Sequence, residues 1–342
     1  MVLIDCALFS SRSNFGFQQF VLHFIYSFMN GDKCEQPKLW FIFKSSERKF
    51  LVDTFGDEIL KHVLFVKPRF WRWRIQYLVY RYNKYNLTVV NTYNQSLYLA
   101  PRLKVVTIVH DHQFKTVFHP IGFRKLFYNF MFTFFAANKY IAISKTTMYE
   151  QIKFYGSHND CFYIYNPVNL NFYENIERVH LKCNKYFLFV GSDKPYKNLK
   201  YLIKEYEKVY ELDNSHELVC VGGCRVPSTA PVHYLSNITQ ENLNYLYLNC
   251  EAVVVPSLYE GYCYPFIEAK LFNKPVVAYD MPISREILDN RNDHFIHGKD
   301  DELAKILIKL INSKVHNYMD SKVQNLCLSS NYFEQLLNIL GE

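Results

Sequence analysis

Two glutamates eight positions apart, Glu260 and Glu268, stand in "PSLYEGYCYPFIEAKLF", with the apolar runs "EAVVV" before it and "KPVVAYD" after it. A buried strand ending at Pro256 and a helix with Pro265 in its first turn place this segment between a strand's carboxyl end and a helix's positive N-terminus. Backbone amides there suit an anion such as phosphate. Gly261 lets the backbone approach a ligand, Tyr262 and Cys263 complete the turn, and Glu268, one turn into the helix, can accept hydrogen bonds from ribose hydroxyls. A plainer reading stays open, because Ser257-x-x-Glu260 also fits a capping box and Glu268 also complements the helix dipole.

A second polar constellation is "FLFVGSDKPYKNLKYLI", in which a strand meets a turn at Gly191 and delivers Lys194 and Lys197 ahead of a helix with Asn198 as a candidate N-cap. Two cations at a helix's positive end are unfavourable by roughly 0.3–1 kcal/mol each unless an anion lies between them or both are fully solvated. A third is "VTIVHDHQ", where a buried strand carries His110 and Asp111 to its carboxyl end. His110-x-His112 lacks a third ligand at convincing spacing and no Asp-x-Asp occurs, so no metal is expected. Gly16, in "SSRSNFGFQQF", is expected in the loop after the first strand, either near a ligand or as a simple turn. Ser144 in "YIAISKTT" is a further N-cap candidate.

The elements that position these residues alternate. Strand-like runs at 2–8, 38–43, 62–66, 87–91, 104–110, 139–143 and 161–165 are separated by helical patterns at 17–29, 68–84, 120–136 and 145–155. After a Pro- and Asn-containing stretch the pattern resumes, with strands at 185–190, 217–222, 251–255, 275–279 and 293–296 and helices at 198–211, 239–248, 264–272 and 300–312. Short unalternating apolar strands between helices predict parallel sheets covered on both faces. The fold class expected is therefore α/β with two doubly wound, Rossmann-like domains and the active site in the cleft between them. The boundaries are 1–168, a linker at 169–184, 185–328, and a closing helix at 329–342.

The 342 residues are 49% hydrophobic, enough for two cores, with nine scattered Cys that suit free thiols in a reducing compartment. No leader-like N-terminus is evident, and "LFYNFMFTFFAA" is too short to span a membrane. The net charge of +7 concentrates in "KPRFWRWRIQYLVYRYNKY". Its interleaved Arg and aromatic residues suit an anionic membrane surface, or equally an amphipathic helix with its aromatics in the core.

Collinear along the chain, "NFGFQQF", "VTIVHD", "IAISKTT", "YNPVN", "FLFVGSDKPYKNL", "LVCVGG", "PSLYEGYCYPFIEA", "KPVVAYDMPISREIL" and "SSNYFEQLLNIL" resemble the retaining glycosyltransferases of family 4, which have the GT-B fold. The resemblance implies that Glu260 and Glu268 are the family's E-x7-E pair, on the donor sugar and the nucleotide ribose. It implies that Lys197 grips the donor diphosphate and that His110 lies beside donor sugar and acceptor. Gly16 then matches the N-terminal loop glycine, and Glu286 the acidic residue near base or ribose. Two departures stand out: Ser192 where relatives often carry an arginine, with Lys194 as its substitute, and Cys263 where they often carry a glycine.

The resemblance further implies metal-independent transfer of a hexose, mannose before a UDP-linked sugar, from a GDP- or UDP-linked donor. The acceptor would be a lipid-linked oligosaccharide in O-antigen or capsule assembly, and the location cytoplasmic, with peripheral contact at the inner membrane face. A nucleotide-sugar epimerase of the same fold would need its own acid/base set. A non-catalytic basic nucleic-acid-binding protein would leave Glu260, Glu268 and the lysines idle, and no nucleic acid is expected as partner.

Overall fold

The computed structural model describes residues 1–11, 16–30, 39–82, 87–93, 98, 103–117, 137–156, 160–223, 225–288, 293–312 and 332–341. The helix expected over 120–136 lies outside them. The chain divides into two units, Met1–Val168 with Ser329–Glu342, and Asn169–Leu328.

In the first unit seven parallel strands, β1 (Val2–Asp5), β2 (Leu39–Lys44), β3 (Val63–Val66), β4 (Thr88–Asn91), β5 (Lys104–Val109), β6 (Lys139–Ala142) and β7 (Cys161–Tyr163), form one sheet of order β3-β2-β1-β4-β5-β6-β7. Val2, Leu3, Ile4, Phe41 and Phe43 are fully buried, as strands covered on both faces require. Helix α1 (Gly16–Asn30) buries Phe20, Phe24 and Phe28, with Val21 and Ile25 beside them. That i, i+4, i+8 spacing draws one apolar stripe down the helix. Helix α2 (Arg48–Phe55) was not expected from the sequence; it buries only Leu51 and so shows no apolar periodicity. Helix α3 (Trp71–Tyr82) carries the basic aromatic segment, and α4 (Gln113–Thr116) is a single turn. Helix α5 (Lys145–Tyr155) is capped by Ser144, whose Oγ accepts from the Thr147 amide at 3.0 Å.

The second unit has six parallel strands, β8 (Tyr186–Val190), β9 (Glu217–Val221), β10 (Val232–Leu235), β11 (Ala252–Val255), β12 (Val276–Tyr279) and β13 (His294–Ile296), in the order β10-β9-β8-β11-β12-β13. Edge strand β10 is half-buried throughout and was not anticipated. Helices α6 (Leu199–Leu212), α7 (Gln240–Asn249), α8 (Tyr264–Leu271), α9 (Pro282–Ile287) and α10 (Glu302–Asn312) cover the sheet. Its core joins Phe187, Phe189 and Val254 to Leu202, Tyr206 and Leu307; each such side chain contributes about 1.5–3 kcal/mol on burial. The last helix, α11 (Tyr332–Leu340), returns to the first unit. Tyr332 meets Phe20 and Phe24 edge-on, and Phe333 packs on Phe24 and Phe28.

Candidate functional site

In the second sheet the chain runs outward from β8 through β9 to β10, then returns and runs the other way from β11 through β12 to β13. The switch point lies between β8 and β11, and the loops leaving those two strands flank the crevice where doubly wound sheets receive ligands. The β8 loop carries Gly191, Ser192, Lys194 and Lys197; the β11 loop carries Glu260, Gly261, Tyr262 and Cys263. The Leu258 amide donates to the Tyr196 carbonyl at 2.7 Å and ties the two loops together.

Across this tie Lys197 Nζ donates to Glu260 Oε1 at 2.6 Å, with the side chains 18% and 9% exposed. Burial alone would pull the Lys197 ammonium below its ordinary pKa, but the charge of Glu260 and the hydrogen bond between them push it above. Tyr196, buried between the two lysines in sequence, faces both: Lys197 Nζ is 5.5 Å and Lys194 Nζ 6.0 Å from its ring centre. Lys194 is exposed. The position of Tyr196 inside "DKPYKN" is a signal that sequence reasoning passed over.

Gly191 and Gly222 bring the ends of two neighbouring strands close together. The Gly191 amide donates to Val221 and the Gly222 amide to Leu235, continuing the ladder beyond the strand ends. Gly222 has φ +127°, and a Cβ there would lie 2.0 Å from the Gly191 carbonyl oxygen. The two backbones thus meet where no side chain fits.

Cys263 is the N-cap of α8 in the left-handed conformation (φ 64°), with no side-chain cap. The helix start therefore lies beyond Ser257, and the Ser257-x-x-Glu260 capping box does not form; the buried Ser257 Oγ has no hydrogen-bond partner among the described residues. A non-glycine residue at this φ costs about 1–2 kcal/mol. Burial, followed by the charge of Glu260, pushes the Cys263 thiol well above its ordinary range, so it stays protonated. Asn198 likewise adopts φ 56° and makes no side-chain cap. Pro265 occupies the first turn of α8 and Tyr262 packs edge-on against Tyr264.

Glu268 is 1% exposed. Its Oε2 accepts from the Tyr247 hydroxyl at 2.6 Å and its Oε1 from the Tyr173 hydroxyl at 3.4 Å. Tyr247 stacks on Phe272 at 6.0 Å between centroids. Burial and the Glu268 charge push the Tyr247 phenol far above its usual range, so it remains a proton donor. Neither tyrosine was anticipated, since residues 95 and 21 positions from Glu268 leave no periodic trace. Glu286 lies half-buried on α9, next to Arg285, which holds Asp280 with both Nε (2.7 Å) and Nη2 (2.9 Å).

In the first unit the switch point lies between β1 and β4. His110 follows β5, next to β4, and its Nε2 lies 2.7 Å from the Thr92 carbonyl. A carbonyl only accepts, so Nε2 carries the proton and Nδ1 is the acceptor atom of a neutral ring. Burial, partly opposed by Thr92, lowers its pKa from 6.5 to about 4. Phe17 and Phe20 stand edge-on to the ring at 5.6 and 4.9 Å. Gly16 is not in a loop: it is the exposed first residue of α1.

Residues 174–325, nearly all of the second unit, match the family described as glycosyl transferases group 1. The O-antigen chain mannosyltransferase RfbU of Salmonella typhimurium is 30% identical over 175 residues, which are 46% of this chain and 47% of that protein. The chain thus spans less than half the length of the curated relatives it matches. Two solved structures superpose over almost everything: Anabaena HepE in complex with UDP-glucose, with TM-score 0.71, 15% identity and 99% of both chains covered, and WaaG, a glycosyltransferase of lipopolysaccharide biosynthesis, with TM-score 0.69, 14% identity and 100% of both chains covered. The second unit is a glycosyl transferases group 1 domain, and the chain has the two-sheet GT-B fold of solved glycosyltransferases.

Proposed function

We propose that this chain transfers a hexose, mannose before others, from a nucleotide sugar to a lipid-linked glycan in O-antigen or capsule assembly, as family-4 enzymes do, with retention and without a metal. The observation that carries the reading is the buried Lys197–Glu260 pair at the switch point of the second sheet, beside the N-terminus of α8. The mannosyltransferase names of its relatives favour mannose; HepE's UDP-glucose keeps a UDP-linked donor as the competing case.

In the transfer the bond between the anomeric carbon and the β-phosphate oxygen breaks, and the diphosphate leaves with the electron pair. Lys197, Lys194 and the amides at the start of α8 receive that charge, as preorganised electrostatics acting on the leaving group. The acceptor oxygen bonds to the anomeric carbon on the same face, and its proton passes to the departing phosphate. Glu260 orients a hydroxyl of the transferred sugar, Glu268 holds the ribose with Tyr247 fixing its carboxylate, and Glu286 lies towards base or ribose. His110 Nδ1 accepts from a hydroxyl.

The acceptor is lipid-linked, so the enzyme works at a membrane surface. Among the described residues no helix is long and apolar enough to cross a membrane. Helix α3 buries Ile75 and Val79 and turns Trp73, Tyr77 and Tyr80 outward, 76%, 60% and 70% exposed, with Arg72, Arg74 and Arg81 exposed among them. Those three aromatics are not core. Rings at headgroup depth with guanidinium groups on lipid phosphates suit an anionic bilayer. Arg72→Glu with Arg74→Glu should abolish co-flotation with phosphatidylglycerol vesicles; unchanged flotation would make the face irrelevant to lipid.

The test of the function is thermal-shift titration with GDP, UDP, ADP and their sugar conjugates, with and without EDTA, followed by transfer of labelled sugar from the stabilising donor. Saturable stabilisation by GDP-mannose that survives EDTA is expected. Stabilisation by none of them would overturn the reading.

A further inference from the structure

At the opposite end of the second sheet from Lys197 and Glu260, three side chains of different chemistry converge. Cys183 lies three residues ahead of β8, Glu217 opens β9 opposite Tyr186, and His233 lies on β10 opposite Val219. Glu217 and Val219 point to the same face of β9, since strand side chains alternate, so His233 beside Val219 shares that face with Glu217. The sulfur, one carboxylate oxygen and one imidazole nitrogen all lie within 4.8 Å of one another, and no other group of three His, Cys, Asp or Glu meets that condition among the described residues. His233 Nε2 and Glu217 Oε2 are in direct contact. Glu217 and His233 are half-buried and open the cluster to the surface, while the Cys183 thiol lies buried beneath them.

We propose that Cys183, Glu217 and His233 bind one zinc ion, with a water as fourth ligand, as a structural staple. A thiolate with an imidazole selects a borderline cation such as zinc over calcium or magnesium, which take oxygen ligands. Zinc–ligand bonds of about 2.0–2.3 Å set neighbouring donors about 3.3–3.7 Å apart in a tetrahedron. Donors already within 4.8 Å of one another lie close to that spacing. On binding, the His233 ring ligates through Nε2 as neutral imidazole, its proton passing by way of solvent to Nδ1, and the Cys183 thiol releases its proton to solvent; nothing is oxidised or reduced. The ion would clamp edge strand β10 and the segment before β8 onto β9.

The experiment uses the full chain stripped of metal and then titrated with Zn²⁺, alongside Cys183→Ser and His233→Gln. One equivalent per chain is expected, with melting raised by roughly 5–10 °C at a hundredfold excess over the dissociation constant. Co²⁺ in place of zinc should show thiolate-to-metal charge-transfer absorption. Both variants should lose the zinc-dependent rise even if either melts lower without metal, and a Lys197→Ala chain should keep it. Substoichiometric zinc in a chelator-buffered titration, or a zinc response that both variants retain, would overturn the proposal. Because the cluster and the donor loops lie at opposite ends of the strands, loss of nucleotide binding leaves this result intact.

Discussion

Lys197→Ala separates what the ion pair does for the fold from what it does for the reaction. The substitution leaves the Glu260 carboxylate, 9% exposed, without the ammonium 2.6 Å away. Removing one partner of a fully buried pair costs about 3–5 kcal/mol; Lys197 keeps some contact with water, which brings the expectation to about 2–3 kcal/mol. On a unit of this size that lowers melting by roughly 4–12 °C. Glu260→Gln in the same chain should restore most of it, because an amide needs no counter-cation. The raised folded pKa of Lys197 fixes the pH window: the pair's stabilisation is fully present below the lysine's ordinary 10.5 and is lost only as pH climbs through the higher folded value. Melting differences between Lys197→Ala and wild type should therefore be constant from pH 6 to 9. For the reaction, one missing cation on the leaving diphosphate should lower kcat by about 10²–10³, in single-turnover transfer of labelled sugar at saturating donor. The double variant should regain melting temperature and not rate. Recovery of both, or a kcat for Lys197→Ala within threefold of wild type, would refute the reasoning.

Three further outcomes follow from the geometry. Gly222→Ala would press a methyl group into the Gly191 carbonyl at a φ that side chains avoid, so denaturant unfolding should show a loss of at least about 4 kcal/mol; a loss under 1 kcal/mol would mean the two backbones do not meet there. Tyr247→Phe deletes the hydroxyl that holds buried Glu268 and should cost about 1–3 kcal/mol, with nucleotide affinity several-fold weaker and kcat at saturation unchanged; an unaltered melting temperature would argue against that hydrogen bond. Burial holds His23 down at about 3 and His110 and His112 at about 4. The unfolded chain takes up protons below 6.5 that the folded chain refuses, so stability should fall as pH drops from 6.5 towards 4. His23→Gln should flatten that slope, and an identical slope in wild type and variant would contradict it.

The parallel-sheet architecture was legible because buried strands such as "KVVTIV" and "AVVV" are continuous apolar runs between helices. The loops at their carboxyl ends were legible because Gly191, the two lysines and Glu260 interrupt that pattern with charge. Strand β10 was not, because "VHYL" is half-buried at an edge and a strand covered on one side only needs no apolar run. The hydroxyls on Glu268 escaped because Tyr247 faces inward from a helix that reads as ordinary and Tyr173 sits in the stretch taken for a linker. The left-handed Cys263 escaped because a glycine is the residue that signals such a backbone. The thiol, carboxylate and imidazole near β9 are brought together only by strand order, which no local pattern encodes.

Helix α11 completes the first unit by laying Tyr332 and Phe333 over Phe20, Phe24 and Phe28, although all of Asn169–Leu328 intervenes in the chain. During synthesis the aromatic floor of the first unit therefore waits, wet, while the intervening unit is made, on the order of ten seconds at ribosomal speeds. The second unit, contiguous in sequence, is free to bury its core within that interval. The order of maturation on the ribosome is thus inverted relative to the order of translation, and the first unit's exposed phenylalanines are the surface a nascent-chain chaperone would shield.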